Sequence, residues 1–123
     1  MLRILYVEDN EDNAYLVSMR LELAGEFEVR IAKDAYSGIE QAKSSRPDII
    51  LMDMDLPGIS GADAMKILKR SSETAYIPII AVTAHAMEAT RIAALSDGFD
   101  DYCAKPIEFG KLLETIRKLA ASR

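Results

Sequence analysis

Cys103 is the only cysteine in 123 residues, so no internal disulfide can form and a reducing cytoplasm is the expected setting. No apolar run approaches the ~20 residues a membrane-spanning helix needs, so no membrane association is expected. The opening "MLRILYVEDN" turns acidic too soon for a signal peptide. Basic residues are outnumbered, 15 Lys and Arg against 20 Asp and Glu, leaving a net charge of −5. A surface suited to a phosphate backbone is therefore not expected, and neither is nucleic-acid binding. The six glycines form neither a G-x-G-x-x-G fingerprint nor a P-loop, so a nucleotide- or flavin-binding module would lack its backbone cradle. The single histidine, His85, reads as an exposed loop residue. With half its residues hydrophobic and 28% charged, the chain has the composition and length of one globular domain.

Short apolar runs alternate with longer amphipathic segments. The runs are Arg3 to Val7, Glu28 to Ala32, Asp48 to Met52, Ile77 to Thr83 and Asp101 to Ala104. All but "EVRIA" lack the polar alternation of a half-solvated sheet, which predicts strands buried on both faces, as in a parallel sheet. "EVRIA" reads as an edge. Between the runs, Ala14, Val17, Leu21 and Ala24 fall at helical spacing before Gly25, and Phe109, Leu112, Leu113, Ile116 and Leu119 make a stronger stripe. Asp34 is placed to cap the segment that follows it. "GADAMKILKR" and "MEATRIAALS", the latter closed by Gly98, supply two more helices. Strict alternation of strand and helix predicts an α/β fold with a doubly wound parallel sheet and helices on both faces.

In such sheets ligands bind at the carboxyl ends of the strands, where the strand order reverses. Glu8 and Asp9 follow the first strand, Asp53 the third, Thr83 ends the fourth, and Lys105 and Pro106 follow the fifth. With the order 2-1-3-4-5 these strands are adjacent, and three acids, a hydroxyl and an ammonium converge on one shallow cleft. Like charges so close oppose joint ionisation. A divalent cation relieves this, and Mg2+ suits oxygen ligands in a site that keeps several waters. Lys105 and Thr83 then fit the charge of a phosphoryl transfer, with Asp53, set on a rigid strand end, as nucleophile. Taken singly these residues have plainer readings. Asp53 and Asp55 could be a solvated strand end, Thr83 a simple strand terminus, Tyr102 a half-buried aromatic, and Cys103 and the methionines at 52, 54, 65 and 87 packing residues.

The segments "LYVEDN", "DIILMDMDLPGISG", "IIAVTAHAM" and "DDYCAKP" resemble, in order and spacing, those of the response-regulator receiver domain. The resemblance runs from Arg3 to about Leu119. It implies a flavodoxin-like fold with five strands and five helices, and phosphorylation on aspartate by a sensor histidine kinase or a histidine phosphotransfer protein. It matches Asp53 to the phosphoacceptor. Glu8, Asp9, Asp53 and the backbone carbonyl of Asp55 would hold the magnesium, and Thr83 and Lys105 would contact the phosphoryl group. Thr83 and Tyr102 match switch residues, and the Lys105–Pro106 peptide is expected to be cis. Asp97 departs from the pattern, where a small apolar residue is more usual.

The expectation is a single receiver domain over residues 1–123 with no output domain, resembling stand-alone regulators of chemotaxis and cell-cycle phosphorelays; "VTAHAM" also resembles receivers attached to hybrid kinases. It would be monomeric or weakly dimeric and would signal by altered binding to a downstream protein target. Its only chemistry would be magnesium-dependent self-phosphorylation and self-dephosphorylation. Asp55 and His85, each two residues past a cleft residue, are expected to set the lifetime of the phosphoryl group. One alternative is a phosphate shuttle between phosphotransfer proteins. A phosphatase with an aspartate nucleophile is the other, but its second aspartate is usually followed two residues on by threonine or valine, and Pro57 stands there.

Overall fold

The computed structural model describes residues 1–84 and 87–121. Five strands and five helices alternate: β1 (Leu2–Val7), α1 (Glu11–Leu23), β2 (Phe27–Ala32), α2 (Ala35–Ser45), β3 (Ile49–Asp53), α3 (Gly61–Arg70), β4 (Ile79–Thr83), α4 (Glu88–Asp97), β5 (Asp101–Ala104) and α5 (Phe109–Ala121). All neighbouring strands pair in parallel, in the order 2-1-3-4-5.

The continuous apolar runs do what their composition predicts. Ile49 to Met52 are fully buried, and alternate residues feed two separate cores because successive strand side chains point to opposite faces. On one face Leu5, Val7, Ile50, Met52, Ile79 and Ala81 pack with Ala42 of α2, Met65 and Leu68 of α3 and Ala94 of α4. On the other, Ile4, Tyr6, Ile49, Leu51, Ile80 and Val82 pack with Val17 and Leu21 of α1 and Leu112 and Ile116 of α5. Each such aliphatic side chain contributes about 2 kcal/mol when fully buried. Helix α1 moves the chain toward one sheet edge, whereas α2, α3 and α4 move it toward the other. A single handedness of crossover requires opposite faces for opposite directions, as found. The reversal falls between β1 and β3, and their carboxyl ends form the switch-point crevice.

Local chemistry sets the element ends. Asn10, Asp34 and Ser60 cap α1, α2 and α3, their side-chain oxygens accepting from the amides of Asn13, Ser37 and Asp63 at 2.9, 2.8 and 3.1 Å. Gly25 and Gly98 end α1 and α4 with φ of +83° and +125°, which a side chain would resist. β2 is an edge strand, as its alternation suggested.

Three expectations need correction. Ala24 is not on the buried stripe of α1; it is the exposed C-cap, because the helix stops one residue earlier. Met87 does not pack: it sits at the N-cap of α4, 72% exposed. Cys103 packs against the core cluster that holds Val82 and Leu112 but is only half-buried, on the edge strand β5.

Candidate active-site cleft

Strand register assembles the cleft. Val7 pairs with Met52, Asp53 with Val82 and Thr83 with Ala104, so the residues that end or follow β1, β3, β4 and β5 lie side by side. Glu8, Asp53 and Thr83 are each only 2% exposed, while Asp9 faces solvent. One carboxylate oxygen from each of Glu8, Asp9 and Asp53 lies within 4.8 Å of the others.

Burying carboxylates is costly unless they are bonded and paired, and both buried acids are. Lys105 Nζ reaches Glu8 Oε1 at 3.3 Å and Asp53 Oδ2 at 3.2 Å. The Asp55 amide donates to Asp53 Oδ1 at 3.0 Å. The Lys105 amide donates to the Thr83 carbonyl at 2.7 Å, tying the lysine to β4. The Tyr6 hydroxyl donates to Glu8 Oε1 at 3.1 Å.

The two acids separate electrostatically. Burial, then the hydrogen bond to Asp53 and its charge, push the Glu8 carboxyl up to about 7, against the pull of Lys105. Burial also acts to raise Asp53, but its hydrogen bonds with Glu8, the Asp55 amide and Lys105 prevail, and its carboxyl stays below its ordinary value. For Lys105, burial is outweighed by Asp53 and Glu8, so its ammonium is held more firmly than usual. Close carboxylates under mutual strain, all hard oxygen donors beside an open mouth at Asp9, fit a small divalent cation such as Mg2+.

Of the residues singled out in the sequence, Glu8, Asp9, Asp53 and Lys105 meet in one cluster, with Thr83 buried at the end of the adjacent strand. The Asp55 side chain is exposed. Tyr102 lies apart, in a groove of about 520 Å³ that also touches Arg91, Cys103, Pro106 and Glu108. This is the side formed by α4, β5 and α5. The Lys105–Pro106 peptide is cis. Asp97 is exposed at the end of α4. His85 lies outside the described residues.

Two residues escaped the sequence reading. Tyr6 counted there as part of an apolar run, yet residues i and i+2 of a strand share a face, and Tyr6 precedes Glu8 by two. Gly61, the first residue of α3, lies against the Asp53 and Met54 backbone so closely that any side chain would collide with it.

Cys103 offers a check on this neighbourhood. Burial, and to a lesser extent the charge of Asp101, push its thiol up to about 11. The raised value keeps the thiol protonated until the pH approaches it. At pH 8 its alkylation by iodoacetamide is therefore expected to run about a hundredfold slower than that of an ordinary cysteine. The rate should keep climbing well above pH 9; a plateau between pH 8 and 9 would contradict this environment.

The described residues contain no helix long and apolar enough to cross a membrane. The profile of the response regulator receiver domain matches residues 4–117. The polar-differentiation response regulator DivK of Brucella anthropi is 38% identical over 114 residues, covering 93% of this chain and 92% of that protein. Protein PilH of Pseudomonas aeruginosa is 35% identical over 121 residues, covering 98% and 99%. Among solved structures, the receiver domain of a sensor histidine kinase from Pseudomonas aeruginosa, with magnesium coordinated in its active-site cleft, superposes with a TM-score of 0.88 at 32% identity, over 98% of each chain. A chemotaxis protein of Vibrio cholerae gives 0.88 at 26%, over 97% of this chain and 98% of that one. With the family profile spanning nearly the whole chain and the strand order and acid cleft in place, this protein belongs to the response regulator receiver domain family of two-component signalling.

Proposed function

We propose that Asp53 is the phosphoacceptor of this receiver, taking its phosphoryl group from a sensor histidine kinase or a histidine phosphotransfer protein in the cytoplasm. The observation that carries the reading is the meeting of Glu8, Asp9 and Asp53 within 4.8 Å, with Lys105 bridging the two buried acids. Asp53 attacks the phosphorus of the donor phosphohistidine. A P–O bond forms, the P–N bond breaks, and the electron pair leaves with the imidazole, which takes up a proton. Glu8, Asp9, Asp53 and the Asp55 carbonyl would hold Mg2+, which would neutralise charge on the acids and the incoming phosphoryl oxygens.

This chain's own cation, Lys105, and the Thr83 hydroxyl contact the transferred group. A phosphoryl group adds close to two negative charges. Drawing Thr83 and Lys105 toward them opens space that Tyr102 fills, biasing an existing two-state equilibrium and changing what the side formed by α4, β5 and α5 binds. Asp55 and His85 tune the lifetime of the phosphoryl group. Beyond its own phosphorylation and dephosphorylation the protein turns over no substrate. Passing the phosphoryl group on to a second phosphotransfer protein is the alternative use of the same site.

The test is an amide-shift experiment with magnesium and then beryllofluoride, which mimics the phosphoryl group. Magnesium is expected to move Glu8, Asp9, Asp53 and Asp55. Beryllofluoride is expected to move Thr83, Lys105 and then Tyr102 with the α4–β5–α5 side. Shifts confined to the cleft, with Tyr102 still, would overturn the switch; no shifts at Asp9 and Asp53 would overturn the cation site.

A further inference from the structure

We propose that Tyr6 is a positioning residue for the cation site: its hydroxyl holds Glu8 Oε1 and so orients the Glu8 carboxylate beside Asp9 and Asp53. The inference rests on the reading of Glu8, Asp9 and Asp53 as the cation-binding acids.

Tyr6 and Glu8 leave β1 on the same side and are 1% and 2% exposed. Glu8 Oε1 accepts from the Tyr6 hydroxyl at 3.1 Å and from Lys105 Nζ at 3.3 Å. Oε2 accepts a longer bond, 3.4 Å from the Asn10 amide. Two side-chain donors thus fix Oε1 and with it the orientation of the Glu8 carboxylate.

Tyr6 belongs to the apolar cluster of Ile4, Val17, Leu51 and Val82, a place phenylalanine fills equally well by shape. A buried hydroxyl costs free energy unless it is bonded, and here the bond goes to Glu8. The arrangement also has a consequence for switching. When Lys105 turns to the phosphoryl group, the Tyr6 hydroxyl stays on Oε1, so this buried oxygen keeps a donor in both states.

The experiment measures magnesium affinity by amide shifts for wild type, Tyr6→Phe, Glu8→Gln and the double variant. Tyr6→Phe is expected to weaken magnesium about tenfold, the usual cost of removing a group that orients a metal ligand. In the Glu8→Gln background the same change is expected to have no further effect, because it acts through Glu8. A packing role alone would lower the unfolding midpoint and leave the affinity unmoved. Equal affinity in wild type and Tyr6→Phe, or equal loss in both backgrounds, overturns the proposal. Wild type without magnesium shifts at Asp9 and Asp53 would instead sink the cation-site reading, and this proposal with it.

If Tyr6→Phe does not fold, exchange of the Tyr6 hydroxyl proton in wild type decides. Slow exchange that persists with magnesium and beryllofluoride supports the proposal, and fast exchange on adding magnesium overturns it.

Discussion

Gly61→Ala is expected to destabilise the protein by about 3 kcal/mol, a large effect for one added methyl group. A Cβ at Gly61 would stand 2.4 Å from the Asp53 carbonyl oxygen, 3.0 Å from Met54 Cα and 3.1 Å from the Asp53 carbonyl carbon. These are backbone atoms at the end of the central strand, so they cannot turn aside as a side-chain tip can. The adjoining strand end is pinned as well: the Met54 amide donates to the Val82 carbonyl at 2.9 Å. Relief must therefore come from moving α3 off the sheet or from bending the chain at Asp53. Either distorts the cleft, so magnesium affinity should fall along with stability. Urea unfolding with and without magnesium checks both. An alanine variant within 0.5 kcal/mol of wild type, by the same error-limited measure, would contradict the close approach.

Lys105→Met is expected to lower stability in the absence of magnesium by about 2 kcal/mol, yet to bind magnesium more tightly than wild type. Removing the ammonium leaves two buried carboxylates without their shared cation, the situation that makes broken buried ion pairs costly. The same ammonium, 3.2–3.3 Å from both acids, repels an incoming divalent ion. At an effective dielectric of about 20 that repulsion over a few Å is on the order of 3 kcal/mol per unit charge, and solvent at the open mouth reduces it. A gain of about tenfold in magnesium affinity is the expected net result. Thermal unfolding in chelator and in magnesium, with a magnesium titration, measures both effects. A variant as stable as wild type in chelator, or one that binds magnesium more weakly, would show that Lys105 does not balance the acids.

What could be read from the sequence follows from the range of the interactions involved. The run Ile49–Met52 was legible as a strand buried on both faces because a parallel strand covered by helices needs no polar alternation. Helix α3 has the bounds its segment suggested, since Ser60 caps it and its apolar residues recur at helical spacing. Glu8, Asp53 and Lys105 were legible as a group because α/β topology places successive strand ends together.

The residues that escaped depend on contacts and exposure that apolar pattern alone does not show. Gly61 is small because of Asp53, eight positions earlier. Tyr6 looks like any core aromatic until the hydroxyl is traced to Glu8. Free cysteine usually behaves as a small buried hydrophobe, but Cys103, packed against the core on the edge strand β5, is only half-covered. Met87 lies in an apolar-looking stretch that turned out to be a helix cap facing solvent.

The most direct test of the account is the intact mass of wild type and Asp53→Asn after incubation with acetyl phosphate, each with magnesium and with chelator. Wild type in magnesium is predicted to gain the mass of one phosphoryl group, stable to acid and lost in base, and to gain none in chelator. Asp53→Asn is predicted to gain none in either. Undiminished incorporation in Asp53→Asn, or loading of wild type that proceeds equally well in chelator, would contradict it.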